Sequence, residues 1–108
     1  MNATAVIVLT TVPENLDAGA MARVLVEERL AACVNILPAM TSVYRWEGQV
    51  EEATERQLVI KTTNDAVSAL RARLAGLHPY DVPEFLVLPV ADGADTYLSW
   101  LRASVIVG

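Results

Sequence analysis

The stretch Thr41-Ser42-Val43-Tyr44-Arg45-Trp46-Glu47-Gly48-Gln49-Val50, with its continuation to Thr63, decides the fold. Thr41 to Trp46 is rich in β-branched and aromatic residues, which suit a pleated surface. Glu47-Gly48-Gln49 reads as a hairpin tip, where glycine takes positive φ without steric cost. Val50 to Thr63 reads as the return strand. Its first half, Val50-Glu51-Glu52-Ala53-Thr54-Glu55-Arg56, is polar, and its second half, Leu58-Val59-Ile60, is core-like. These are long strands for a chain of 108 residues.

Upstream, Ala5-Val6-Ile7-Val8-Leu9 is a short continuous apolar run and predicts a central strand, ended by Thr10-Thr11-Val12-Pro13. Glu14, Asn15 and Asp17 supply the chemistry of a helix start. Ala18, Met21, Ala22 and Leu25 form a stripe at helical spacing, and the helix is expected to stop near Arg29-Leu30. Ala31 to Leu37 is strand-like until Pro38, which has no N–H for a ladder and marks an edge or a bulge. Downstream, Asn64 or Asp65 is expected to cap a second helix bearing Val67, Leu70 and Leu74, with Gly76 as its C′ residue. His78-Pro79-Tyr80-Asp81-Val82-Pro83 is a loop, and Glu84 to Leu88 a strand closed by Pro89. Asp92-Gly93 turns the chain, Asp95 or Thr96 opens a short helix through Leu101, and Ser104 to Val107 suggests a small extra strand.

This order is the α+β, ferredoxin-like βαββαβ pattern: an antiparallel sheet with helices on one face, plus a short C-terminal helix, as a single domain over residues 1–108. One face of such a sheet is open, and Val43, Tyr44 and Trp46 are too apolar to stay in water. Edges and faces of this kind pair with another chain, so self-association is expected.

Composition removes several function classes. Eight Lys and Arg against 13 Asp and Glu give a net charge of −5, which argues against nucleic acid and anionic membranes as partners. Apolar residues at 54% and charged residues at 19% are a globular balance. The single cysteine fits a reducing compartment, and the start has no basic segment before its apolar run, so a secretory signal is not expected. No apolar run reaches the ~20 residues that cross a bilayer.

The chemistry-bearing residues are sparse. Cys33, between Ala32 and Val34, reads first as a small buried hydrophobe and second as a metal or redox thiol. His78 is the single histidine; a loop imidazole binds copper or zinc, but such a site needs three or four ligands, and Tyr80, Asp81 and Glu84 stand at no recognised ligand spacing. Glu47, Glu51, Glu52 and Glu55 read as a solvated face that attracts hard divalent ions loosely. Trp46, Trp100, Tyr44 and Tyr80 read as packing or interface anchors. Arg45 is expected to pair with a neighbouring glutamate, and Lys61, ending a core strand, is a candidate anion site. Glycine-rich phosphate loops and the G-x-S-x-G elbow are absent from the sequence. The RNA-binding version of the fold carries aromatic and basic residues on its first strand, which here is aliphatic.

Taken together, Leu25-Val26-Glu27-Glu28-Arg29-Leu30-Ala31-Ala32-Cys33-Val34-Asn35-Ile36, Ser42-Val43-Tyr44-Arg45-Trp46-Glu47-Gly48, Ile60-Lys61-Thr62-Thr63, His78-Pro79-Tyr80-Asp81-Val82-Pro83-Glu84, Leu88-Pro89-Val90 and Tyr97-Leu98-Ser99-Trp100-Leu101 resemble the CutA family of divalent-cation tolerance proteins. The resemblance runs from about residue 5 to 103. It implies a tight homotrimer whose long second and third strands pair between subunits, built like the PII signalling proteins. It also implies a cytoplasmic protein tied to tolerance of copper and other divalent metals, with no established reaction and no organic cofactor. The implied cleft between subunits involves Cys33, Trp46, Lys61, His78 and Tyr80, with Glu84 beside it. Some members carry a cysteine where Thr10 stands and a histidine where Leu77 stands, both assigned to copper. Hydroxyl and leucine cannot replace those donors, so copper(II) or another divalent cation, held by His78 and Cys33, is expected to bind weakly.

Two other readings compete. One is a PII-like signalling trimer holding a small anion or metabolite between subunits, motivated by Lys61 and Arg45. The other is an acylphosphatase-like hydrolase, which needs an arginine-bearing anion loop after the first strand; Thr10-Thr11-Val12-Pro13 has none, so no enzyme is expected.

Overall fold

The computed structural model describes residues 3–105. Strand β1 (Ala5–Pro13) leads to helix α1 (Ala18–Glu27), then β2 (Cys33–Ile36), β3 (Met40–Trp46) and β4 (Gln49–Thr63). A single 3-10 turn at Asn64–Ala66 precedes α2 (Val67–Leu77), followed by β5 (Leu86–Pro89) and α3 (Asp95–Ser104). The sheet order is β2-β4-β1-β5, with β3 also on β4, and every pairing is antiparallel. This is the expected α+β architecture.

Strands β2 and β3 are one path along the same edge of β4, broken at Pro38. Ile36 faces Leu58 and Met40 faces Glu55, so four steps on one side match three on the other. That extra residue is a bulge, placed where proline cannot donate to the ladder. Beyond it β3 and the first half of β4 form a two-stranded arm, and the molecule measures 46 × 25 × 23 Å. The arm ends in a two-residue turn, Glu47 and Gly48, with φ of 50° and 78°. Positive φ at both central positions is the type I′ geometry whose twist matches the flanking strands.

Alternation divides the sheet into two faces. Val6, Val8, Val12, Leu58 and Ile60 point toward α1 and α2, where Met21, Leu25, Leu70 and Leu74 complete the main core. On the opposite face α3 covers only one end, where Leu101 packs with Ala5, Ala66 and Val105. The rest of that face stays open, and Leu86 and Leu88, paired with Leu9 and Ile7, are exposed.

Several boundaries differ from the sequence reading. Strand β1 runs through Pro13 because β4 is long enough to pair with all of it. Helix α1 starts as expected, with the Asp17 carboxylate accepting the Ala20 N–H at 3.0 Å. It stops earlier than expected, and Arg29 takes φ 60° while its guanidinium donates to the Ala103 and Ser104 carbonyls. Asn64 does not cap α2, because its side-chain oxygen accepts the Thr4 N–H at 2.9 Å across the chain. Gly76 lies inside α2, not after it; the helix ends at Leu77 because Pro79 forces His78 out of the helical region, to ψ 135°. Ser104 ends α3 instead of starting a strand, and residues 106 and 107 of that expected strand lie outside the described residues.

Candidate functional site

The polar centre of the molecule lies where β5 stops and β1 continues. Strand β5 pairs with β1 only from Val6 to Leu9, so the following stretch of β1 has no strand on that side. The loop from His78 to Phe85 fills the gap. His78 Nε2 donates to the Thr11 carbonyl at 2.7 Å, and Nδ1 accepts the Tyr80 N–H at 3.1 Å. A carbonyl only accepts and a backbone N–H only donates, so these partners define a neutral ring protonated on Nε2. The ring is 9% exposed and tilts against Tyr80, with centroids 4.8 Å apart.

Tyr80 reaches on to β4, where its hydroxyl donates to Glu55 Oε2 at 2.8 Å. Burial, then the hydrogen bond to Glu55 and the charge behind it, pushes the phenol above its ordinary range. Glu55 is 7% exposed and departs from the solvated acidic face expected of it, whereas Glu47, Glu51 and Glu52 are exposed. Glu84 belongs to the same network: Gln57 Nε2 donates both to Glu84 Oε2 at 2.9 Å and to the Thr10 carbonyl at 2.8 Å.

The structure thus brings His78, Tyr80 and Glu84 together and leaves three other candidates elsewhere. Cys33 is half-buried and pairs directly with Lys61 across β2 and β4. Thr11, which carries His78, pairs with Gln57, four β4 residues from Lys61. At ~3.3 Å per residue that is ~13 Å along the sheet, so Cys33 and His78 do not meet within one subunit. Lys61 Nζ sits 5.9 Å from the centroid of the Tyr97 ring, on the open face. Trp46 is exposed on the arm, and Arg45 donates to the Gly48 carbonyl at 3.4 Å instead of pairing with a glutamate. Among the described residues, no three His, Cys, Asp or Glu side chains converge as a metal cage.

Sequence reasoning passed over Gln57, read Glu55 only as part of a solvated acidic face, and weighed Thr10 only as a missing metal donor. The Thr10 side chain is 1% exposed, and its hydroxyl has no hydrogen-bond partner among the described residues.

A ferredoxin-like sheet with a long hairpin arm and a half-open face is a fold shared with proteins described as PII-like. The chain belongs to the family of the CutA1 divalent ion tolerance protein, whose model matches residues 6–104. A divalent-cation tolerance protein CutA from Thermus thermophilus is 54% identical over 96 residues, covering 89% of this chain and 93% of the relative. The solved structure of a divalent cation tolerance protein from the same organism superposes with TM-score 0.90 at 51% identity, covering 94% and 98% of the two chains. A protein described as the periplasmic divalent cation tolerance protein CutA from Archaeoglobus fulgidus gives TM-score 0.89 at 31% identity, covering 94% and 99%. A PII-like protein CutA from Nostoc gives TM-score 0.87 at 32% identity, covering 95% and 99%. No described helix is long and apolar enough to cross a membrane.

Proposed function

We propose that this chain, one domain over residues 1–108, serves cation homeostasis in the cytoplasm as a homotrimer that binds divalent metal, copper(II) first, weakly. In this reading it catalyses no reaction and uses no organic cofactor. His78 is the principal donor, and Cys33 is a second donor that a neighbouring subunit supplies. Trp46, Lys61, Tyr80 and Glu84 line or support the cleft between copies.

The observation that carries the reading is the state of His78. A metal-binding imidazole must be neutral, and it characteristically donates its other N–H to a carbonyl or carboxylate that fixes the ring. The bond from Nε2 to the Thr11 carbonyl has that form. The Nδ1 lone pair accepts the Tyr80 N–H, so a metal on Nδ1 displaces that bond. Copper(II) favours nitrogen over oxygen donors, but one imidazole per chain leaves its first shell incomplete. The exposed Leu86 and Leu88 on the open face, and the exposed arm, support assembly.

Copper titration of the wild type, His78→Ala and Cys33→Ala tests the metal assignment. Wild-type affinity weaker than ~10 nM is expected, with loss in His78→Ala and weakening as pH falls, since protons compete for the ring. Equal affinity in wild type and His78→Ala contradicts the assignment.

A second reading, a PII-like trimer binding a small anion or metabolite between subunits, is favoured by Lys61, which makes no ion pair among the described residues. Calorimetry with metabolite anions against Lys61→Met separates it from the metal reading.

A further inference from the structure

The loop between α2 and β5 is tied to the sheet at its two ends and free at its crest. At the first end the Tyr80 hydroxyl donates to the buried Glu55 carboxylate at 2.8 Å. At the second, Gln57 Nε2 donates to Glu84 Oε2 at 2.9 Å. Between them Asp81 and Val82 are exposed, so the crest has little packing to hold it down. Beside the first tie lies the His78 ring, 9% exposed, with Nε2 spent on the Thr11 carbonyl. Its Nδ1 accepts the Tyr80 N–H at 3.1 Å. Tyr80 therefore covers the nitrogen with its backbone and anchors itself there with its side chain.

We infer that Tyr80 and Glu55 form a strap that closes His78 Nδ1 to metal, so that copper(II) binds only when the strap lifts. The inference rests on His78 being the metal donor, as proposed above. The ring nitrogen has one lone pair, and a backbone N–H and a metal cannot share it. Copper on Nδ1 turns the peptide between Pro79 and Tyr80 away, and that movement draws the phenol off Glu55. The affinity of the whole protein is then the affinity of the open loop multiplied by the fraction of molecules in which the loop is open. Tyr80 is a positioning residue that acts through His78, and its hydroxyl opposes metal binding, where a phenol that ligates the metal supports it. The coupling is reciprocal: bound copper loosens the loop, whereas a ligand that packs against a loop tightens it.

The test is copper(II) titration of the wild type, Tyr80→Phe and His78→Ala, joined to amide hydrogen exchange read by mass spectrometry with and without copper. Tyr80→Phe keeps the ring and the backbone N–H but cannot bond Glu55. It is expected to bind copper about five- to tenfold more tightly than wild type, the population change that one lost buried hydrogen bond produces. Its metal-free form exchanges faster over residues 79–85. A hydroxyl that serves the fold alone loosens the loop without tightening copper. In the wild type, saturating copper is expected to speed exchange over the same residues, a readout that needs no variant to fold. Copper affinity in Tyr80→Phe equal to or weaker than wild type, or slower exchange in copper-loaded wild type, overturns the strap alone if His78→Ala still loses copper. Equal copper affinity in wild type and His78→Ala overturns the metal reading beneath it.

Discussion

The Tyr80 hydroxyl donates to the buried Glu55 carboxylate at 2.8 Å, at the point of the sheet where one strand ends and another begins. Glu55 faces Pro13, the last residue of β1, and Met40, the first of β3. The bond therefore ties the loop that carries His78 to the base of the hairpin arm. The candidate site and the arm are two ends of one hydrogen-bonded connection.

Removing the phenol tests the strength of that tie. Tyr80→Phe leaves a buried carboxylate without its donor, a loss of about 1–3 kcal/mol in urea unfolding. Glu55→Gln, which keeps an oxygen to accept the hydroxyl, is expected to cost less. Equal stability of Tyr80→Phe and wild type contradicts the account of this contact.

The raised Tyr80 ionisation has a defined pH signature. The folded state holds the phenolic proton more tightly than the unfolded state, whose tyrosines titrate near ~10. The stabilisation is complete below ~10 and is lost as pH rises through the higher folded value. Ultraviolet titration of tyrosinate is expected to show Tyr80 ionising last of the three tyrosines. Tyr80→Phe is expected to lose less stability than wild type over the alkaline range.

The arm turn offers a gain of stability. Glu47 holds φ 50°, a left-handed conformation that strains a residue with an ordinary side chain. Glu47→Asn creates the Asn-Gly pair that type I′ turns prefer. A rise of a few tenths to about 1 kcal/mol in chemical unfolding is expected. A lower stability rules out the type I′ assignment as the controlling feature.

Much of the fold was legible because its signals are local. The core-like run from Leu58 to Ile60, the Glu47-Gly48 turn and the break at Pro38 each act over a few residues. Misread boundaries were set by distant partners. Asn64 has the chemistry of a cap, but Thr4, 60 residues away, takes its oxygen. Gly76 looked like a helix end, yet Pro79 sets the stop. In the site, His78, Tyr80 and Glu84 gather because they share one loop. Glu55 resembles its neighbours Glu51 and Glu52 in sequence, and only Tyr80, 25 residues on, distinguishes it.

The hairpin arm is built for self-assembly in the proposed function. Val43 and Val50 are 62% and 65% exposed on one side of the arm, and Tyr44 and Trp46 are exposed on the other. A lone two-stranded ribbon is marginal in water. Trp46→Ala is expected to weaken assembly by ~2 kcal/mol or more, as truncated tryptophan anchors do. The most direct measurement is the mass in solution by light scattering at micromolar concentration. A mass three times that of the chain, shifting toward monomer in Trp46→Ala, is the predicted result. A stable wild-type monomer at that concentration contradicts the account.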